Sequence, residues 1–336
     1  MCIRDRRYNH IGAADFATTT YQGAGFTSNK VALWIAGRAV EYLKSNGKTL
    51  HARPGMESPL EFESAPPSWG SCLLYGDSGL PNQKGPLAPD KIVFRDGWET
   101  DDTYLLANLR FTGWHRYKAT NTVSMIYKNQ PIVNEATSAD TFWWLPVGRS
   151  LFRDKRIPRE NLNGLSIQKT GLSAVMYALT SIGGPWAQDP PFYASVDQFE
   201  LDPEKDISQS RLSGWHGWDH IRKIIFHHNG PIVIIDEANG PGNQKAAINW
   251  QIAAGIIGED GRYMIDDAGR PAEVILLPVD TTDGEISVGD QFNPTGDQQI
   301  RYQINQYGKL SLVTIFLFDE WVGAQVSLDT SCLLYT

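Results

Sequence analysis

The chain has 336 residues, 41% hydrophobic and 20% charged, with a formal net charge of −8. That is enough apolar material for one large core or two ordinary ones, and no run of about 18 uncharged apolar residues is present to span a bilayer. The acidic balance excludes bulk nucleic-acid binding, which draws on a basic surface, so an anionic partner needs a local basic patch.

The two ends read as foreign. "MCIRDR" at the start and "SCLLYT" at the finish look like translated adapter of the sort found at the edges of metagenomic assemblies. On that reading the chain is a fragment, and of its three cysteines only Cys72 belongs to the protein. A disulfide framework is then excluded and the redox compartment is not legible. No signal peptide precedes the fold, which in a truncated chain carries no information.

Residues 1–50 contain the clearest helix, "KVALWIAGRAVEYLKSN" at 30–46. Val31, Trp34, Ile35, Val40 and Leu43 fall on one side at helical spacing, and Gly47 can end it in the left-handed region. Residues 51–87 are rich in Pro, Gly and Ser and read as a linker. From about residue 88 to 330 the pattern is β. "KIVF", "TYLLANLRF" and "NTVSMIY" are short apolar or alternating runs. Lys128-Asn129 turns the chain, and Pro131, which has no N–H for a ladder, marks the return strand as an edge.

A stronger hairpin is "IRKIIFHHNGPIVIIDEA", residues 221–238, with Asn229-Gly230 predicted as a type I′ turn. Ile232 to Ile235 is apolar without alternation, which predicts burial on both faces. "AEVILLPVD", "GEISVG", "RYQINQY" and "KLSLVTIFLF" continue the series. Residues 165–181 fit a helix or two strands equally. Many short strands broken by Gly, Pro and Asn, without interleaved helices, predict stacked antiparallel sheets.

The common catalytic fingerprints are absent: no phosphate-binding loop, no dinucleotide motif, no H-E-x-x-H, no G-x-S-x-G. His227 and His228 are adjacent in a strand and point to opposite faces, so they do not chelate one ion. His216 and His220 stand four apart, a helical spacing in a strand context. The pairs Asp101-Asp102, Asp236-Glu237 and Asp266-Asp267 read as turn chemistry rather than a glycosidase acid/base pair. Arg149, Arg153 and Arg156 belong to the basic run "RSLFRDKRIPRE". Such a run is first of all a solvated loop, and otherwise an anion patch. Most of the chain's 11 Trp are core material, but Trp143 and Trp144 are neighbours on one segment. If it is a strand, one of them faces outward, free to stack on sugar.

Four stretches in order carry a resemblance: Arg95-Asp96-Gly97-Trp98, Gly113-Trp114-His115, Asn121-Thr122-Val123, and Arg222 through Asp236 with "INWQ" beyond. Together they resemble the C-terminal β-sandwich of heparinase II/III-like polysaccharide lyases, over roughly residues 75–330. The resemblance implies a mainly β chain, a large antiparallel sandwich of the supersandwich type. Ahead of it would stand a short helical remnant of an (α/α) toroid, nearly all of which is missing. It implies β-elimination on an acidic, uronate-containing polysaccharide, in the periplasm or outside the cell. Such a reaction needs a base, an acid and a group that neutralises the carboxylate.

Carried over residue by residue, His115 matches the first histidine of the family's H-x-H-x-D pattern and Tyr117 stands at the second. Glu135 could replace a later acid, and Trp250-Gln251 stands where the family has Trp-His. The family's metal site therefore looks dismantled, and no zinc and no cofactor are expected. A second register slides "KATNTV" onto the family's H-N-T-V strand and leaves His115 without a family role. If His115, Tyr117 and Asn121 share one strand face, they can act as base, acid and carboxylate holder, or equally cap backbone at a sheet rim. Trp143, Trp144, Arg149, Arg153 and Arg156 are the candidate substrate-binding residues. The alternative to a lyase fragment is a noncatalytic carbohydrate-binding or structural sandwich, with a glycoside hydrolase third.

Overall fold

The computed structural model describes residues 20, 21, 24, 29–45, 63–68, 70–74, 89–99, 101–110, 119–135, 159–168, 190–241, 244–253, 255–266, 271–279, 284–289, 298–304 and 308–327. The chain divides into two units, Met1–Gly70 and Ser71–Thr336. In the first, helix α1 (Lys30–Ser45) starts where Asn29 caps it, its Oδ1 accepting from the Ala32 N–H at 3.0 Å, as the first-turn donors require. Ala36 is fully buried. Gly47, expected as the stop, lies outside the described residues.

The second unit is two antiparallel sheets. The first contains β1 (Cys72–Leu74), β2 (Lys91–Arg95), β3 (Tyr104–Asn108), β4 (Thr122–Lys128), β5 (Gln130–Asn134), β6 (Leu165–Gln168), β11 (Lys245–Ile252), β15 (Gly284–Gly289) and β16 (Gln298–Ile304). Its order is β1-β2-β3-β4-β5-β11-β16-β15, with β6 also on β11. The second contains β7 (Ser195–Glu200), β8 (Lys205–Trp215), β9 (Trp218–His227), β10 (Ile232–Asn239), β12 (Gly255–Glu259), β13 (Arg262–Asp266), β14 (Ala272–Pro278) and β17 (Lys309–Phe318). Its order is β12-β13-β14-β17-β10-β9-β8-β7. This is the antiparallel β-sandwich expected from the strand pattern. A strand, β1, also arises inside the stretch read as a linker and pairs with β2.

Alternation builds the core between the sheets. Ile92 and Phe94 of β2, Ile224 and Phe226 of β9, and Ile232 and Ile234 of β10 point inward and are buried. Phe94 stacks on Phe226 at 5.6 Å between centroids, tying one sheet to the other. The other face of β10 is covered too. Val233 and Ile235 pack on a second cluster of Ile275, Val313, Ile315 and Leu317, joined by Ala324 and Val326. The unbroken apolar run thus meets an apolar surface on both sides.

Local details depart from expectation. The 221–238 hairpin forms with Ile232 opposite Phe226, but its turn is not type I′. That turn needs φ > 0 at both central residues. Here Asn229 has φ 52° and Gly230 is not among the positive-φ residues. The His227 N–H donates to the Pro231 carbonyl at 3.2 Å instead, which widens the loop. The strand with Pro131 is not a sheet edge by order, since β5 lies between β4 and β11. Its ladder to β11 is a single pair, Ile252 with Val133, and Pro131 lies beyond it with no donor to offer. Of the ambiguous 165–181 segment, 165–168 is strand and the remainder lies outside the described residues.

Phe226→Ala empties a site sealed between the sheets and is expected to cost about 3–5 kcal/mol. Ile257→Ala, on the exposed edge strand with Ile257 64% exposed, is expected to change stability by less than about 0.5 kcal/mol. Urea unfolding of both variants measures the contrast, and equal losses would contradict this placement of the core.

Candidate functional site

Where the inward face of the second sheet turns from apolar to polar, a network crosses the sandwich. On β9 the inward residues run Trp218, His220, Arg222, Ile224; on β10 they run Ile234, Asp236, Ala238; all are buried. Arg222 and Asp236 are cross-strand partners. Arg222 Nε donates to Asp236 Oδ1 at 2.7 Å and Nη2 to Oδ2 at 3.0 Å, a fork-on-carboxylate pair. The remaining arm of Arg222 reaches the first sheet, where Nη1 donates to the Asn163 carbonyl at 2.8 Å and lies 3.5 Å from the Asn121 carbonyl. Its guanidinium carbon sits 5.3 Å from the Trp250 ring centroid.

Asn121 is the hub on that side. It precedes β4 in a turn with φ 58°, a left-handed conformation that Asn tolerates and most residues avoid. Ser210 Oγ donates to its Oδ1 at 2.6 Å, and its Nδ2 meets His220 Nδ1 at 3.1 Å. His220 Nε2 faces Asp236 Oδ1 at 2.7 Å. An amide donor on one nitrogen and a carboxylate on the other select the neutral imidazole protonated on Nε2. Gly164 leaves room for the crossing: a methyl there would lie 3.1 Å from the Asn121 carbonyl oxygen and 3.5 Å from Arg222 Nη1.

Electrostatics follow burial. For Asp236, burial alone would raise the pKa, but the Arg222 charge and the hydrogen bonds from His220 and Arg222 outweigh it and hold it at about 2. For His220, burial is the largest influence and lowers the pKa, with Asp236 opposing. Arg159, buried on the turn Arg159–Asn161, is pulled down to about 9 by burial first and by Arg222 second, against Glu135 and Glu160. Arg159 donates from Nε to the Leu165 carbonyl at 2.7 Å and lies 5.0 Å from the Trp215 ring centroid. Glu135 accepts from Thr122 Oγ1 at 2.7 Å and Ser124 Oγ at 3.0 Å.

Of the residues picked out from sequence, Asn121 alone of the proposed trio is among the described residues, and it is 2% exposed. It lies in a turn and not on a strand face, with its carboxamide engaged inside the sandwich. His115 and Tyr117, and Trp143, Trp144, Arg149, Arg153 and Arg156, lie outside the described residues. Glu135 and Trp250 are buried. His216 (φ 54°) is in the turn between β8 and β9, while His220 is committed to the network. His228 faces Asp96 through Nδ1 at 3.0 Å and Asp206 through Nε2 at 3.4 Å, linking the sheets near the hairpin loop. Among the described residues no group of three His, Cys, Asp or Glu is placed to hold a metal ion.

The sequence reading missed the roles of Ser210, Asn163, Arg159 and His220. The only signal was indirect: a long segment, 205–215, with serine and aspartate on one alternating face.

No family model matches the chain, and no curated protein matches it. Solved structures do. The heparinase III-BT4657 gene product superposes with a TM-score of 0.62 at 13% identity, over 91% of this chain and 41% of that one. The heparan sulfate lyase HepC from Pedobacter heparinus gives 0.60 at 14% identity, over 92% and 42%. A further heparinase III gives 0.50 at 11%, over 69% and 36%. At these identities the likeness is one of fold. The resemblance read from the four ordered motifs is therefore met at the level of architecture. The chain spans about two-fifths of the length of the first two of these structures' chains.

The network makes stability fall with acid. Asp236 has a folded pKa of about 2, below the unfolded value of about 3.9, so its contribution is complete above pH 4 and is lost as pH falls toward 2. His220, with its folded pKa lowered, is protonated first in the unfolded chain, so stability also declines as pH falls below about 6.5. Urea midpoints at pH 7 and pH 5 are expected to differ in the native chain and to differ less in His220→Gln, the remainder falling to His227, whose pKa burial and then Lys205 also lower. Breaking the ion pair with Asp236→Asn is expected to cost about 3–5 kcal/mol at pH 7, whereas the double replacement Arg222→Met with Asp236→Leu costs less.

Proposed function

We propose that this chain is part of a polysaccharide lyase acting on an acidic, uronate-containing glycan by β-elimination. The observation that carries the reading is the two-sheet fold it has in common with solved heparinase III and heparan sulfate lyase structures, together with the ordered motifs. On this reading the parent carries an upstream toroid, of which α1 is a remnant, and works in the periplasm or outside the cell. No helix among the described residues is long and apolar enough to cross a membrane.

The roles divide as follows. His115 and Tyr117 act as base and acid, and the basic run with Arg149, Arg153 and Arg156 holds the carboxylates, with Trp143 and Trp144 against the sugar faces. Asn121 takes a positioning role, since its carboxamide is occupied by Ser210 and His220. It fixes the turn from which the chain passes to β4, a few residues after His115 and Tyr117 in sequence. Trapping that turn in one geometry serves catalysis, because displacement of an acid or base by about 1 Å can cost a hundredfold in rate.

The second reading is a noncatalytic carbohydrate-binding or structural sandwich. It is favoured by the same fact, that the one described member of the proposed trio is engaged inside.

A parent chain extended upstream, incubated with uronate polymers, is expected to release an unsaturated product that absorbs ultraviolet light. His115→Ala and Tyr117→Phe are each expected to slow release by about 10²–10⁴-fold. Asn121→Gly, which keeps the backbone conformation, is expected to lower kcat with little change in KM. A parent that releases no such product from any uronate polymer removes the lyase reading.

A further inference from the structure

The outward face of the second sheet is apolar, and a strip of chain that belongs to no strand lies on it. On β14 the inner core takes Ala272, Val274 and Leu276, so alternation turns Glu273, Ile275 and Leu277 outward. On β17 the outward residues are Val313, Ile315 and Leu317, and with Ile275 they form a second buried cluster. After β17 the chain turns at Asp319–Trp321. Beyond that turn Val322, Ala324 and Val326 are half-buried, while Gly323, Gln325 and Ser327 are exposed. Ala324 and Val326 pack on the second cluster.

Directed contacts hold this strap at two places. Near its start, Lys128 Nζ at the end of β4 lies 3.0 Å from Asp319 Oδ2, and Trp321 Nε1 donates to the Asn229 carbonyl of the β9–β10 loop at 3.3 Å. Asp319 has φ 50°, a conformation that turns the chain out of the sheet. Further on, the Gly323 N–H donates to Glu273 Oε2 at 2.8 Å, and Arg262 Nη2 to the Ala324 carbonyl at 2.7 Å. Arg262 also binds Glu273 itself, through Nη2 on Oε2 at 3.2 Å and through Nε on Oε1. Glu273 is 2% exposed. Its carboxylate is therefore a buried anchor, and Arg262 reaches it from β13.

We infer that residues 319–326 are a strap that opens on its own, hinged at Asp319–Trp321 and latched by Glu273 with Arg262, and that this strap is the reversible occupant of the apolar face of β14 and β17. The reason is the contrast with what lies beneath. Strand β17 has a ladder on each side, to β10 and to β14, so its amides are released only when the sheet comes apart. The strap has no ladder, two apolar side chains on the cluster and every second residue in water, which places it at the low end of local stability. The latch supplies what packing does not: charge-assisted bonds from an arginine and a backbone N–H onto one buried carboxylate. The strap does not depend on the lyase reading, and neither outcome below bears on it.

The test uses the 336-residue chain in hydrogen exchange at pH 7, comparing the Gly323 and Ala324 amides with those of Ile234 and Ile315, and in parallel titration with an apolar fluorescent dye. In the native chain the strap amides are expected to exchange at least about a hundredfold faster than the strand amides, once corrected for intrinsic rate. Glu273→Gln and Arg262→Met are each expected to speed strap exchange about tenfold and raise dye binding, with the strand amides unchanged. Gly323→Ala carries the test if the latch variants do not fold. Its methyl meets nothing within 4 Å, but φ is 83° there, so it strains the strap without touching the latch, and it is expected to speed strap exchange in the same way. One common exchange rate for strap and strands, or latch variants with unchanged strap exchange, would overturn the inference. So would faster strap exchange with no gain in dye binding, since another segment would then cover the face.

Discussion

The structure depends on one costly interaction, the Arg222–Asp236 pair buried between two apolar layers. Moving either ion out of water costs several kcal/mol even after relaxation, and attraction offsets this only with good geometry and no hydrogen-bonding group left over. The pair meets both conditions. Two contacts join the guanidinium to the carboxylate, and the third arm ends on the Asn163 carbonyl of the opposite sheet. The second carboxylate partner, His220, is neutral and donates. What the pair adds is therefore position more than stability. An apolar side chain tolerates a small slide between sheets, whereas a fork with three directed bonds does not.

That constraint propagates outward. Asn163, held by Arg222, accepts through Oδ1 from the Gln251 N–H at 2.6 Å and donates through Nδ2 to the Val123 carbonyl at 2.8 Å, so one residue stitches β4 to β11 where their own ladders do not meet. Asn121, held by Ser210 and His220, sets how the chain approaches β4. Within β4, Thr122 and Ser124 turn toward Glu135, with Arg159 near enough to feel its charge. The result is a polar column through an otherwise hydrophobic sandwich. Its charges balance along its length: Asp236 against Arg222, and Glu135 against Arg159.

The same column explains what was legible from sequence. The hairpin of β9 and β10 stands out because both faces beside its turn are apolar, Ile224, Ile225 and Phe226 running into Ile232 to Ile235, and β17 because it is apolar over most of its length, giving a plain apolar run. Strand β8 was not recognised because its inward residues are Asp206, Ser208, Ser210 and Leu212. Buried serines that serve a network carry no hydrophobic periodicity. Asn121 was read as a strand residue because "NTVSMIY" alternates so well after it, and sequence pattern does not report φ. The type I′ turn failed for a related reason: Asn229-Gly230 permits that turn, but Pro231 directly after it enforces a different loop. Trp98 was noticed only as part of a motif. It packs with its ring centroid 3.7 Å from the Arg95 guanidinium carbon, on a turn where the Asp102 carboxylate leaves no room for a side chain at Gly97.

Local rules fail where a fold is asked to do something besides fold, and here the failures cluster around Asn121 and the inward face of β8. A group in that position is poorly suited to touch a substrate. Swinging the Asn121 carboxamide outward would leave Ser210 and His220 short of a partner inside the sandwich, at about 1–3 kcal/mol for each buried group left unsatisfied. The bonds that make the turn rigid also withdraw it from the chemistry. A rigid turn is still useful to chemistry done a few residues away, because a side chain on a short tether inherits the precision of its attachment point. On the proposed lyase reading, the polar column is therefore the mounting for a reactive segment and not the reactive segment itself.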